Sequence, residues 1–260
     1  MKTPCIYPFV IALMLIIAAG FLAAQDFKGG VVKYQQTTKY NWNSIFNPEG
    51  KAEARTTDWL ASLPKEDEQA KVLYFTEENA LYEEDSIEKQ ASEPNLQRAL
   101  MGASMRKPPT PELKKVFYDF GKNEKTEQVE FMTRNFLISD PIKNKAWKLT
   151  NRMIKVQNFI CLGAELKDGD QTITAWFTSE IPISAGPDEF FGLPGLILVI
   201  EINGETTFIA TSIDLTPPKK GVLSKPDSGT KVTQEEFNKI IEDKIKEFKE
   251  TGGNKGNRRR

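Results

Sequence analysis

Phe159-Ile160-Cys161-Leu162-Gly163-Ala164-Glu165-Leu166-Lys167-Asp168-Gly169-Asp170-Gln171-Thr172-Ile173-Thr174-Ala175-Trp176-Phe177-Thr178 is two alternating runs about Asp168-Gly169. That dipeptide is preferred in a two-residue type I′ turn, where both central residues need positive φ, so the stretch predicts a β-hairpin. Pairing Lys167 with Asp170 sets Ile160 against Phe177, Leu162 against Ala175 and Ala164 against Ile173 on one apolar face. The other face then carries Cys161 opposite Trp176, Phe159 opposite Thr178 and Gly163 opposite Thr174. Such a face is either a partly wet cavity wall or an ordinary solvated surface with one tryptophan. Cys161, in an apolar run, reads as a small core residue.

The same grammar recurs on both sides. Asn203-Gly204 turns a second hairpin, Leu196 to Ile202 against Glu205 to Ile213, and the unbroken apolar Leu196-Ile197-Leu198-Val199-Ile200 requires cover on both faces. Lys71 to Thr76 with Ala80 to Glu84, and Val116 to Phe120 with Thr126 to Ile138, read as further hairpins, and Val31 to Tyr34 and Trp147 to Thr150 as strands. Phe237, Ile240, Ile241, Ile245 and Phe248 recur at helical spacing in Gln234 to Glu250, with Thr233 and Glu236 as a capping box, so this helix is one expected cover for the apolar strand. The fold class is therefore mainly β: a curved antiparallel sheet or half-barrel built from hairpins, with a C-terminal amphipathic helix.

Met1 and Lys2, the apolar Ile6 to Ala19 and the small-residue exit Leu22-Ala23-Ala24 have the three-part form of an export signal. The expected organisation is a signal peptide at 1–24, one β-rich domain at 25–250 with a flexible proline-rich insertion near 86–111, and a disordered basic tail at 251–260. After removal of the signal no segment is long and apolar enough to span a bilayer as a helix. The expected location is the periplasm or the outer-membrane-associated envelope. The chain of 260 residues has 35 Lys+Arg against 36 Asp+Glu, which does not suit a partner made of phosphates, so no nucleic acid is expected. It has no histidine, which removes serine-histidine and cysteine-histidine catalysis and imidazole-dependent zinc sites. No catalytic residue, metal ligand or cofactor is assigned, and the oligomeric state is not legible.

The most unusual local chemistry is Gly186-Pro187-Asp188-Glu189-Phe190-Phe191-Gly192-Leu193-Pro194-Gly195-Leu196-Ile197. Pro194 presets φ and Gly195 supplies a positive φ, so Leu193 to Leu196 reads as a type II turn entering the buried strand. With Ala175-Trp176-Phe177-Thr178, Glu180-Ile181-Pro182 and the strand containing Cys161, this segment resembles the GLPGLI family of exported Bacteroidota proteins, named for the hexapeptide at Gly192 to Ile197. The resemblance implies a signal-bearing envelope protein, often encoded beside outer-membrane transport or peptidase-like systems, with no established activity, and a fold compatible with the outer-membrane lipoprotein carriers.

Ligand- or partner-binding candidates are Trp176, Thr178, Glu180, Gly186, Pro187, Phe190, Phe191, Gly192, Leu193, Pro194 and Gly195; these residues line a site or close the end of the core. The preferred expectation is a non-catalytic binding or carrier-like module for an apolar ligand or an envelope partner. The alternative is an assembly or accessory partner of an outer-membrane transport complex, using a sheet edge or the arginine tail. A carboxylate-dependent hydrolase built on Glu180, Asp188 and Glu189 ranks below both.

Overall fold

The computed structural model describes residues 28–50, 54–88 and 93–252, so the expected signal at 1–24 and positions 253–260 of the expected tail lie outside the described residues, while positions 251 and 252 end the last helix. Among the described residues twelve strands form one open, mixed sheet in the order β12-β6-β5-β4-β3-β2-β1-β11-β10-β9-β8-β7. They are β1 Gly30–Lys39, β2 Glu66–Phe75, β3 Asn79–Glu84, β4 Glu112–Asp119, β5 Glu124–Phe131, β6 Arg134–Pro141, β7 Lys148–Val156, β8 Phe159–Asp168, β9 Gln171–Thr178, β10 Leu196–Ile202, β11 Thr206–Asp214 and β12 Thr230–Val232. All neighbours are antiparallel except β12, which runs parallel to β6. The helices are α1 Trp42–Phe46, α2 Ala54–Ser62, α3 Pro94–Ser104 and α4 Gln234–Gly252.

Registers place one row across five strands, apolar on the first four: Val32 opposite Leu73, Leu73 opposite Tyr82, Tyr82 opposite Val116, and Val116 opposite Glu127. Two residues along, Phe75, Ala80 and Tyr118 form the next row on the same face, and Tyr118 lies opposite Lys125. Apart from Glu127 and Lys125 these side chains are buried hydrophobic core. The sheet curls about this face. Tyr34 reaches from β1 across β11 and donates its hydroxyl to the Ile197 carbonyl of β10 at 2.6 Å.

The expected hairpins form, with three corrections. The turn between β8 and β9 is one residue later than Asp168-Gly169. Asp168 pairs with Gln171, leaving Gly169 (φ 57°) and Asp170 in the centre, so the glycine occupies the first central position and Asp170 escapes the left-handed region. Leu162 consequently faces Phe177, and Gly163 faces Trp176. Nor is one face of β8 continuously buried. Ile160 and Leu162 are 60% and 38% exposed while Ala164 and Leu166 on the same face are buried, and between these two stretches the β7–β8 ladder is irregular: Leu149 pairs with Ala164 but Met153 with Leu162, four steps on β7 against two on β8.

The second correction splits Thr126 to Ile138 into β5 and β6. Phe131 pairs with Arg134, and Met132 and Thr133 take φ of 51° and 66°. Neither residue favours that region, so the turn carried no sequence signal. The third concerns α4. Its capping box is present, with Glu236 N–H donating to Thr233 Oγ1 at 3.1 Å and Thr233 N–H donating to Glu236 Oε2 at 2.8 Å. The helix, however, packs through Phe237 on Val129, Phe131, Phe136 and Ile138, not on β10. Within the proline-rich stretch, α3 packs Leu96 and Ala99 against Trp42 of α1 and Leu60 of α2, forming a separate small core.

Candidate functional site

The connection from β9 to β10 is folded back against the core, held by tight backbone bonds. Ile183 N–H donates to the Ile181 carbonyl, Ala185 to Ile183 and Gly195 to Leu193, each spanning two residues, at 2.8, 2.9 and 2.8 Å. Prolines at 182 and 194 preset φ for the first and last of these. Leu196 N–H then donates to the Ile181 carbonyl and Ile197 N–H to that of Ala185, at 3.0 and 2.9 Å, stitching the returning chain to the start of β10. The expected type II turn at Leu193 to Leu196 is thus a three-residue turn on Pro194. Gly195 remains indispensable for another reason: φ is 151°, and an added Cβ would overlap the Thr178 carbonyl. Gly186 is similarly confined, 2.7 Å from Phe190 O and 2.8 Å from Ile197 Cβ at its would-be Cβ.

Most of the candidate residues therefore build a plug. Thr178, Gly186, Pro187, Phe190, Phe191, Leu193 and Gly195 are buried. Phe191 stacks obliquely on Tyr118 with ring centroids 5.2 Å apart, and its carbonyl accepts the Trp147 indole N–H at 2.8 Å. Gly192 (φ 94°) donates its N–H to Ser184 Oγ at 2.9 Å. Glu180 and Pro194 are exposed, and Glu180 accepts the Ile160 N–H at 3.2 Å. Trp176 is partly buried beside Gly163 and Val199, under the Arg152 guanidinium at 5.9 Å from its ring. Its indole N–H is buried without an acceptor among the described residues. The concave apolar face that could have received a ligand is filled by the chain itself.

Where this plug meets β2 to β5, charged groups converge. Asp188 adopts φ of 56°, and its carboxyl is pushed up to about 6, first by burial and then by the neighbouring Glu189, against the opposing pull of Lys71 and Lys145. Glu127 is buried and raised by desolvation although Lys125 pairs with it at 2.6 Å. Lys71 is lowered by burial, and Lys145 lies 3.3 Å from Glu189. Sequence reasoning missed Tyr82, Tyr118, Glu127, Lys71 and Trp147 here. Each sits in an ordinary strand pattern or next to a strand start, and only the cross-strand registers bring them together. Of the three acids considered for hydrolysis, Asp188 and Glu189 share this place and Glu180 does not.

At the far end of the sheet, β7 pairs only with β8 among the described residues. Leu149 and Met153 on β7 are 57% and 64% exposed, beside the exposed Ile160 and Leu162 of β8. The strand carries Lys148, Arg152 and Lys155 and no acid.

The chain is thus an open, curved, hairpin-built sheet closed on one face by its own β9–β10 connection. A family described as "Protein of unknown function (Porph_ging)" matches residues 121–199, from the turn after β4 to Val199 of β10. No curated protein matches. Two solved structures share the fold: PNGF-II in space group P21, with a TM-score of 0.52 and 16% identity over 82% of this chain and 33% of that one, and PNGF-II in space group C2, with 0.53 and 14% over 82% and 32%. The chain spans about a third of the length of those proteins. At such identity the likeness concerns the fold alone.

Proposed function

We propose that this chain is an exported cell-envelope module of the GLPGLI type, non-catalytic, which docks another envelope protein along the open β7 edge. The export signal at Met1 to Ala24 and the Gly192 to Ile197 motif support the envelope assignment. The β7 edge carries the docking reading: a strand whose outer edge has no partner among the described residues, with exposed apolar side chains and only basic charges, is suited to receive an extended acidic and apolar segment by strand addition. The apolar-carrier version has less support, because the plug occupies the concave face. An accessory role in an outer-membrane transport complex is the natural setting for such docking.

The test is site-specific photocrosslinking in the producing cell, with the photoreactive residue at Met153 and, as a control, at Glu78 in the β2–β3 turn. The reading expects one defined envelope protein captured from position 153, absent from position 78, and lost when Leu149→Asp is added. Equal capture from both positions, or none from 153, would overturn it.

A further inference from the structure

The small helical core presents a second, outward surface. α1 and α2 join β1 to β2 and α3 joins β3 to β4, so all three helices lie at one end of the sheet. On α3, Leu96, Ala99 and Ala103 are buried, the first two against Trp42 and Leu60. Arg98, Met101 and Met105 repeat the same three- and four-residue spacing on the face turned away from that core. Met101 is 64% and Met105 69% exposed.

The apolar surface continues sideways. The Phe46 ring of α1 rests on Gly102, where an added Cβ would come 3.3 Å from it, and the Trp59 ring of α2 meets Phe46 edge-on with centroids 5.3 Å apart. Trp59 is 38% exposed. Arg106 lies over the same Phe46 ring, 4.6 Å from its centroid, and donates to the Gly102 carbonyl at 3.4 Å. Single exposed apolar side chains need no explanation, but Met101, Met105, Phe46 and Trp59 adjoin one another in a band with a guanidinium set into it.

The charge around this band is one-sided. From Pro94 to Pro111 the chain carries Arg98, Arg106 and Lys107 and no acid, in a protein whose 35 basic and 36 acidic residues almost balance. Asp58 is the one acid within the three helices. Arg98, Arg106 and Lys107 make no ion pair among the described residues.

We propose that this helical end of the molecule rests on the surface of an anionic lipid bilayer, with Met101, Met105 and Trp59 entering the boundary between headgroups and acyl chains and Arg98, Arg106 and Lys107 meeting the lipid phosphates. Tryptophan favours that boundary, methionine adapts to an irregular apolar surface, and the stems of arginine and lysine lie along it while their charged ends stay in water. A protein partner would need matched shape. A fluid lipid surface needs apolar insertion and opposite charge, the two properties the band has. The contact lies in the plane of the interface, since no described helix is long and apolar enough to cross a membrane.

The experiment records methionine methyl NMR spectra of the protein with vesicles of mixed phosphatidylcholine and phosphatidylglycerol carrying a spin-labelled lipid. The readout is local, so lipid contact elsewhere in the chain, as by the apolar Ile6 to Ala19, does not imitate it. The Met101 and Met105 signals are expected to broaden, while that of Met153, also 64% exposed but on β7, stays sharp. Partitioning read from Met105 should fall at least about fivefold on pure phosphatidylcholine vesicles or at about 0.5 M salt. Arg98→Gln with Lys107→Gln, both at exposed positions, should lower it at least about tenfold with the melting temperature unchanged. Sharp Met101 and Met105 signals, equal partitioning onto pure phosphatidylcholine, or no loss in the double variant would overturn the proposal. So would capture of one defined protein, a second copy of this chain included, by a photoreactive residue at position 105 in the producing cell. Such a failure would leave the docking reading untouched, because that reading rests on β7.

Discussion

The plug and the β7 edge are both apolar, Gly/Pro-rich in one case and basic in the other, and their fates are opposite. From Ile181 to Ile197, prolines and glycines let the backbone satisfy its own N–H groups in tight turns, so Phe190, Phe191 and Leu193 can be buried without stranding polar main chain. At β7 the apolar Leu149 and Met153 alternate with lysine and arginine on a strand with one partner. Apolar content alone thus does not locate a binding surface. What locates it is whether the local backbone can close on itself.

The sharpest way to break this contrast is at Gly195. Gly195→Ala forces a Cβ into the Thr178 carbonyl at positive φ, and urea denaturation should show a loss on the order of 3 kcal/mol or more. A loss below 1 kcal/mol, the scale of an ordinary glycine change, would mean the connection is a loose cover. Leu193→Ala empties a fully buried position and should cost about 3 kcal/mol in the same assay. Tyr34→Phe removes the buried hydroxyl that bridges to the Ile197 carbonyl, for about 1 kcal/mol.

A pH series sharpens the picture at the plug's charged end. Asp188 titrates higher in the folded chain than its ordinary value, so between about pH 4 and pH 6 the folded state holds more protons and stability falls as pH rises. Asp188→Asn should remove that fall and leave the protein more stable than wild type near neutral pH by about 1 kcal/mol, since water reaches the partly buried carboxylate. The smallest expected effect is at the edge, where Met153→Lys should change stability by no more than about 0.5 kcal/mol while abolishing the crosslink from a photoreactive residue at position 149.

Particular residues show what the sequence made legible. Asn203-Gly204, the alternation in Ala80 to Glu84 and the Thr233/Glu236 box are local signals, and the elements they announce are present. The turn at Met132-Thr133 is not local: there cross-strand packing outweighs the roughly 1 to 2 kcal/mol cost of each left-handed non-glycine residue, whereas the one-residue shift at Gly169 puts the glycine where positive φ is needed. The motif at Gly186 to Ile197 was visible as chemistry, but its burial depended on which strands the curled sheet brought beneath it. The charged end of the plug was the least legible feature, since Asp188 is far along the chain from Tyr118 and Glu127 and comes near them only through the returning plug.

The most direct test of the contrast is amide hydrogen exchange on the protein, followed residue by residue. If the β9–β10 connection is part of the core, the amides of Ala185, Gly195, Leu196 and Ile197 exchange only with global unfolding, while the outward amides of β7 exchange at the rates of a solvated edge. Fast exchange across Ile181 to Ile197, at rates like those of β7, would contradict the account and make the connection a lid over an accessible cavity.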